Sequence, residues 1–174
     1  VPNLALRSER APNVAGARLL GYGEQTDGAL AAIPEAAVVL VLDDALNGLP
    51  AGVMDSAAQL IYLGTVLPDA ARRARVVLPV ATVAEEDGTF VNRDRRVQRY
   101  VQATAAPGMA RPAWWVLAEL LAELGRGESM VTAAEAFDLL AREEPAFGGL
   151  SYERLGTRGM VLQGGAGKPA EVAR

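Results

Sequence analysis

The sequence contains no cysteine and no histidine among its 174 residues. Without thiolates or imidazoles, the chain cannot ligate an iron–sulfur cluster in the usual way, and it cannot build an ordinary zinc site. A Ser-His-Asp or Cys-His nucleophile is excluded for the same reason. Only carboxylates, hydroxyls and arginines remain for chemistry. We therefore propose no catalytic residue and no metal ligand from the sequence.

Long apolar runs and excess positive charge are also missing. No apolar run approaches the roughly 20 residues that a membrane helix needs, and the first residues do not resemble a secretory signal. Both features predict a cytoplasmic protein that does not insert directly into a membrane. The net charge of −4 argues against nucleic acid as a partner, because nucleic-acid binding requires a basic surface.

Apolar segments alternate with helix signals in the first half of the chain. Continuous apolar runs predict buried strands over residues 37–43, 60–64 and 76–78. Short helices are predicted between them, over residues 51–58 and 68–74. Strands that alternate with helices imply a parallel sheet with right-handed crossovers, so the fold class is α/β. Since three strands make a thin domain, the sheet is interpreted as the last half of a larger one.

Two further short helices are expected before the first strand. Asn13 is predicted to cap a helix over residues 14–20, and Asp27 is predicted to cap one over residues 28–33. Pro34 then ends the second helix, since proline cannot continue it.

The second half begins with polar sequence and ends in helices. Residues 87–102 are predicted to form a loop arm, either extended or folded as a hairpin, and residues 105–111 a linker. A helix follows over residues 112–124, opened by its proline. Another helix starts at Thr132, where Thr132 and Glu135 have the spacing of a capping box. These two helices are expected to pair as a helical hairpin.

Residues 76–99, VVLPVATVAEEDGTFVNRDRRVQR, are followed by ARPAWW at residues 110–115. This order of strand, acidic turn, Gly-Thr-Phe, Asn, Arg-Val-Gln and tryptophan helix resembles the large-subunit family of molybdopterin oxidoreductases. Asn13-Val-Ala-Gly-Ala17 is similar to an Asn-x-x-Gly-Ala turn of the same subunits. The resemblance covers roughly residues 6–163, and within the family it is strongest to the G-type subunits of NADH-quinone oxidoreductase, respiratory complex I.

This resemblance implies a domain organisation and a role. Residues 1–81 are expected to be the C-terminal half of a Rossmann-like α/β domain and residues 82–111 a loop arm and linker. Residues 112–163 are then a helical segment, and the Gly-rich residues 164–174 a flexible tail. The implied role is a redox-silent structural scaffold in a proton-pumping complex that passes electrons from NADH towards quinone.

The same resemblance sets expectations for cofactors and partners. No cofactor is expected in this chain, and the iron–sulfur clusters of the G-type subunit are expected in an upstream part of the subunit. The expected partners are that remainder and other subunits of the peripheral arm, which hold the chain at the inner face of the cell membrane. The alternative is a fragment of a molybdopterin-dependent oxidoreductase similar to formate dehydrogenase, which contributes to binding the pterin cofactor. A free-standing nucleotide-binding module lacks the Gly-rich first turn that it needs.

The alternative implies a set of cofactor contacts on the polar loop. The corresponding loop of molybdopterin enzymes lies near the pterin dinucleotide, whose phosphates and guanine edge suit amide, hydroxyl and guanidinium donors. The predicted contacts are Gly88, Thr89, Asn92 and Arg96. Otherwise, the loop packs between domains or against a neighbouring subunit.

Carboxylates form the second candidate site. Glu85, Glu86 and Asp87 can act as a general acid and base, but adjacent carboxylates before a glycine are more simply a solvated turn. Asp43 and Asp44 close a predicted strand, where Rossmann-like sheets place a ribose-binding acid. Because no G-x-G-x-x-G precedes them, we interpret them as helix-cap or loop residues.

Two other motifs have simpler interpretations. The Gly-Lys pair at residues 167–168 does not make a phosphate loop, since Leu162 and Pro169 replace the residues that such a loop requires. Of the adjacent Trp114 and Trp115, one is expected in the core, and the other is a candidate for a protein interface.

Overall fold

The computed structural model describes residues 12–22, 26–43, 46, 49 and 52–162. The chain divides into two compact units, and each is assembled from separate stretches. The described parts of the first unit are residues 12–21, Thr89–Arg99 and residues 137–162; the second unit comprises Tyr22–Gly88 and Tyr100–Ala136. The predicted boundaries after residues 81, 111 and 163 stay a prediction, and residues 164–174 lie outside the described residues.

The second unit contains the predicted parallel sheet, and the α/β fold class is confirmed. Its strands are β1 (Val39–Leu42), β2 (Leu60–Gly64) and β3 (Val76–Pro79), in the order β1–β2–β3. Both pairings are parallel, and they place β2 in the centre. The central strand is the most buried because it has a neighbour on both sides, and Leu63 is completely inaccessible to solvent. The prediction that the other two strands are buried is wrong, because both are edge strands with exposed apolar side chains, at Leu40 and Leu42 in β1 and at Val76 and Val77 in β3.

The predicted helices between these strands are wrong. Single 3-10 turns, Met54–Ser56 and Asp69–Ala71, replace them. Gly52 takes a φ of 76° and Ala57 returns to extended backbone, so the helical stretch between them is limited to a single turn. The Arg73 guanidinium donates to the carbonyl oxygens of Met54 and Ala57, and so adds a side-chain donor at the end of the short turn.

Within the second unit, helical segments before and after β1 pack against the parallel sheet. The helix α1 (Val14–Leu19) belongs to the first unit, whereas α2 (Thr26–Ala32) belongs to the second. Asp27 lies inside α2 and not before its first residue, so the predicted start of this helix is wrong. The buried cluster of the second unit joins the segment after α2 to β2, and its members are Ile33, Met54, Ala57 and Leu60.

The polar arm forms a hairpin, one of the two predicted arrangements. Its strands are β4 (Gly88–Val91) and β5 (Arg96–Tyr100), and the short strand β6 (Met160–Val161) pairs antiparallel with β5. In the first unit, hydrophobic residues from this sheet pack against aromatic residues that follow residue 136. The buried cluster consists of Val91, Val97, Phe137, Phe147, Leu155 and Leu162.

Three helices follow the hairpin: α3 (Ala113–Glu123), α4 (Ala133–Glu143) and α5 (Tyr152–Leu155). The predicted capping box at α4 is confirmed. The Glu135 N–H donates to Thr132 Oγ1 at 3.2 Å, and the Thr132 N–H donates to Glu135 Oε2 at 3.1 Å. Among the helices of the described ranges, none has the length and hydropathy needed to cross a membrane.

Candidate functional site

The predicted cofactor contacts lie on β4 and on the turn that joins it to β5. Thr89, Asn92 and Arg96 belong to the first unit, and Gly88 is the last residue of one stretch of the second. The turn is closed by two backbone hydrogen bonds, from Asn92 N–H to Arg96 O at 3.0 Å and from Arg95 N–H to Asn92 O at 2.9 Å. We call residues 92–96 the cofactor loop, after the role that the sequence predicts for it.

The Asn92 side chain shapes this loop. Its Oδ1 accepts from the N–H groups of Asp94 and Arg96, each at 2.9 Å. Asparagine is suited to such turns because its short amide can bond to the backbone a few residues ahead. Arg95 takes a φ of 60°, and the local bonds of Asn92 help to hold the turn in that conformation.

Arg96 ties the end of the loop to a distant part of the first unit. Its Nη1 donates to the carbonyl oxygens of Arg158 at 3.3 Å and Gly159 at 3.2 Å. Gly159 has a φ of 66°, and a Cβ there would lie 2.1 Å from Val97 O. Only glycine allows this close approach to β5, so the contact depends on a glycine that the sequence analysis did not single out.

Asn13 holds the other end of the loop, and its predicted role as a helix cap is wrong. It precedes α1 with a φ of 63° and makes no side-chain cap bond. Instead, its Oδ1 accepts from the Val91 N–H at 2.8 Å. Gly16 makes room for this contact, because a Cβ there would lie 2.2 Å from Asn13 Oδ1. The Asn-x-x-Gly-Ala motif is therefore built around a bridge to β4.

The charge of the cofactor loop fits an anion. Three of its five residues are arginines, and the single acid, Asp94, lies 3.6 Å from Arg93 Nε. Guanidinium groups and amides in a tight turn are the donors that proteins use for phosphates. The donor set therefore fits the phosphates of a pterin dinucleotide. Among the described residues, no group of three or more carboxylates is placed to hold a metal ion.

The acidic turn before β4 is more than a solvated turn, so that interpretation is wrong for Glu86. The half-buried Glu86 carboxylate accepts from Tyr100 OH at 3.1 Å and from the Ala113 N–H at 3.3 Å. Burial raises the pKa of this carboxyl above its usual value, and the two hydrogen bonds lower the pKa in part. Glu86 thereby joins the end of β5 to the start of α3 within the second unit. Sequence reasoning missed Tyr100 as its partner.

Asp87 makes similar hydrogen bonds in the same unit. Its Oδ1 accepts from the Gln102 N–H at 2.7 Å, and its carbonyl oxygen accepts from Trp114 Nε1 at 3.2 Å. Trp114 is thus anchored to the acidic turn. Both Trp114 and Trp115 are only partly buried, so the expectation that one of them lies in the core is wrong.

A cavity of about 380 Å³ opens beside the acidic turn. Carboxylates, the Arg111 guanidinium and small side chains predominate in its lining, and polar clefts of this kind differ from the mostly apolar pockets of small-molecule sites. The lining residues include Glu85, Glu86, Asp87, Gln102, Arg111, Trp114 and Thr132. Because the hydrogen bonds of these residues account for the acidic turn, we assign no reaction to the cavity.

Asp43 serves the sheet, as the loop interpretation predicted. Its Oδ1 accepts from the N–H and the hydroxyl of Thr65, both at 2.8 Å, and so links the ends of β1 and β2. Its neighbour Asp44 and the Gly-Lys pair at residues 167–168 lie outside the described residues.

Residues 44–123 match the molybdopterin oxidoreductase family. Over 96 residues, the chain is 46% identical to the F420-dependent formate dehydrogenase 2 subunit alpha of Methanococcus maripaludis, which covers 54% of this chain and 14% of that protein. Over 85 residues, it is 41% identical to a putative formate dehydrogenase of Bacillus subtilis, which covers 49% of this chain and 9% of that protein. The chain therefore spans a small part of the curated relatives that it matches.

These relatives overturn the interpretation of the chain as a G-type subunit of complex I. They are named as formate dehydrogenases or their alpha subunits, and they favour the molybdopterin alternative. The predicted role as a redox-silent scaffold in a quinone-reducing complex is wrong for the same reason. Over residues 44–123, the chain is similar to the molybdopterin oxidoreductase family.

Proposed function

We propose that this chain is part of the alpha subunit of a molybdopterin-dependent oxidoreductase similar to formate dehydrogenase, and that it contributes to binding the pterin cofactor. The observation that supports this proposal is the 46% identity with a formate dehydrogenase alpha subunit. The aligned stretch is a small part of that protein, so the reaction belongs to the whole subunit. In that reaction, formate loses two electrons and one proton and leaves as carbon dioxide.

The pterin-bound metal supplies the two-electron exchange when the cofactor is present, and this chain supplies contacts that hold the cofactor. The proposed contacts are the Thr89 hydroxyl, the Asn92 amide and the Arg96 guanidinium, together with the Gly88 backbone. An arginine has five N–H donors in a fixed fork, and Arg96 uses Nη1 for its bonds to the carbonyl oxygens of Arg158 and Gly159. Arg96 can therefore hold the loop and still offer donors to a phosphate.

Because the chain has no cysteine, we propose that any iron–sulfur cluster of the whole protein is ligated by other parts of it. The proposed partner of this chain is the remainder of the same subunit. Such a division agrees with the pattern of charge, since the arginines of the cofactor loop suit an anionic ligand and leave redox chemistry to the cofactor.

The test is cofactor analysis of the full-length protein. The gene is expressed in a host that makes molybdopterin, and molybdenum, tungsten and pterin are measured per polypeptide. Formate-dependent reduction of a viologen dye is then followed. We expect about one metal per polypeptide, bound with pterin, and reduction of the dye. Protein that folds but carries neither metal nor pterin would contradict the proposal.

Matched arginine variants test the loop contact. Arg96→Gln removes one of the three arginine charges of the cofactor loop. Arg99→Gln removes a charge from the same strand, where Arg99 Nη1 donates to Tyr152 O at 3.2 Å and the guanidinium lies over the Tyr152 ring. We expect Arg96→Gln to lower pterin content on the order of tenfold, because a charged hydrogen bond to the ligand is lost. Equal losses in both variants would refute the contact.

A further inference from the structure

We infer that Asn13 is a positioning residue that fixes the cofactor loop through the Val91 backbone; this inference rests on the proposed function. The Asn13 Oδ1 accepts from the Val91 N–H at 2.8 Å, although the two residues are 78 positions apart. Val91 is only 4% exposed, so water does not easily replace the asparagine oxygen. A buried N–H without a partner is costly.

The residue at position 13 has to meet two requirements together. Its φ of 63° is a left-handed conformation that asparagine, aspartate and glycine adopt more readily than other residues. Its carbonyl oxygen accepts from the Ala17 N–H at 2.9 Å, which begins α1. The side chain must also carry an acceptor that reaches β4. Asparagine meets both requirements, and Gly16 leaves the space for its amide.

Because Val91 is next to the cofactor loop in the sequence, its bond to Asn13 also fixes the start of the loop. Val91 directly precedes Asn92, whose side chain accepts from two backbone N–H groups of the turn. At the other end of the loop, Arg96 is held by the carbonyl oxygens of Arg158 and Gly159. The loop is thus fixed at its entry by one distant segment and at its exit by another. A loop that is ordered before binding loses less entropy when it takes up a ligand.

Two substitutions at position 13 separate the acceptor from the backbone. Asn13→Gly keeps the left-handed conformation and removes the acceptor, whereas Asn13→Asp keeps both. Gly16→Ala keeps the asparagine, but the added methyl group would lie 2.2 Å from Asn13 Oδ1 and displace the amide. If Asn13 positions the loop, Asn13→Gly and Gly16→Ala will behave alike, and Asn13→Asp will resemble the natural protein.

The experiment uses the full-length protein and two readouts. Hydrogen exchange reports the Val91 amide, which we expect to lose about tenfold of its protection in Asn13→Gly, corresponding to one lost hydrogen bond. The second readout is the rate at which pterin and metal leave the protein during dilution. We expect this rate to rise about tenfold in Asn13→Gly and to stay within about twofold in Asn13→Asp.

Each outcome decides the inference. If exchange at Val91 rises in Asn13→Gly but the rate of cofactor release is unchanged, Asn13 is purely structural and the inference is wrong. Unchanged exchange at Val91 refutes the bridge itself. If the natural protein holds no pterin, the proposed function is wrong and the inference fails with it. If the natural protein holds pterin but releases it as fast as Asn13→Gly does, the proposed function stands and only the inference is wrong.

Discussion

Substitution of Gly88 by alanine should destabilise the second unit through a clash with Tyr100. A Cβ at position 88 would lie 2.3 Å from Tyr100 Oη and 2.4 Å from its Cζ. These distances are shorter than carbon atoms tolerate, and an aromatic ring cannot bend to relieve them. The ring must rotate away, and its hydroxyl then loses the 3.1 Å hydrogen bond to Glu86.

The expected loss follows from three contributions. Crowding of a packed site costs about 1–3 kcal/mol, and the lost hydrogen bond adds about 1 kcal/mol. Alanine in place of glycine returns about 0.4–1 kcal/mol by restricting the unfolded chain. The net loss is about 2 kcal/mol. With a denaturant dependence of about 2 kcal/mol per molar urea, the urea midpoint falls by about 1 M.

Urea unfolding of the purified protein, followed by circular dichroism, measures this change. Gly28→Ala is the matched control, because a Cβ at this helical position meets nothing within 4 Å, and we expect it to raise the midpoint slightly. In a Tyr100→Ala background, Gly88→Ala should cost less than about 0.5 kcal/mol, since the clash is gone. The explanation is refuted if Gly88→Ala costs the same with and without Tyr100.

Three further predictions concern the same unit. Leu63→Ala should cost about 2–5 kcal/mol in urea unfolding, because Leu63 is completely buried; a loss under 1 kcal/mol would contradict its place in the core. Thr132→Ala should cost about 1 kcal/mol by removing the cap of α4, whereas Thr132→Ser should cost much less. Burial raises the pKa of Glu86 above 4.5 in the folded state, so the folded protein binds this proton more tightly than the unfolded chain. The free energy of unfolding of the natural protein, relative to that of Glu86→Gln, should therefore fall as the pH rises from below 4.5 through the raised pKa. A difference between the two proteins that is constant with pH would refute this prediction.

The elements that were predicted correctly are determined by residues close together in the sequence. The capping box of α4 involves Thr132 and Glu135, and the strand over residues 60–64 is a continuous apolar run. Local patterns fail where a distant residue competes. Asn13 precedes a helix and has the chemistry of a cap, but the Val91 N–H takes its side-chain oxygen. No residue near position 13 in the sequence indicates that the Asn13 side chain will bond to the Val91 N–H.

The candidate loop was predicted from the sequence, whereas its anchoring was not. The sequence from Asn92 to Arg96 contains residues typical of turns, together with arginines. The carbonyl oxygens of Arg158 and Gly159 that hold Arg96 lie more than 60 residues away, so the local sequence does not indicate them. The resemblance to complex I was misleading because most of the residues that carry it lie within residues 44–123, which match the molybdopterin oxidoreductase family and do not single out one of its members.

The bridge from Asn13 to Val91 also has a consequence for how the protein is made. During synthesis, the hydrogen bond between Asn13 and Val91 cannot form until β4 has been translated. The loop exit must wait longer, until Gly159 has been translated. Contacts so distant along the chain slow folding, because loop closure precedes any gain in energy. We therefore expect the parallel sheet, whose strands are close in sequence, to form on the ribosome first and the cofactor loop to be ordered last.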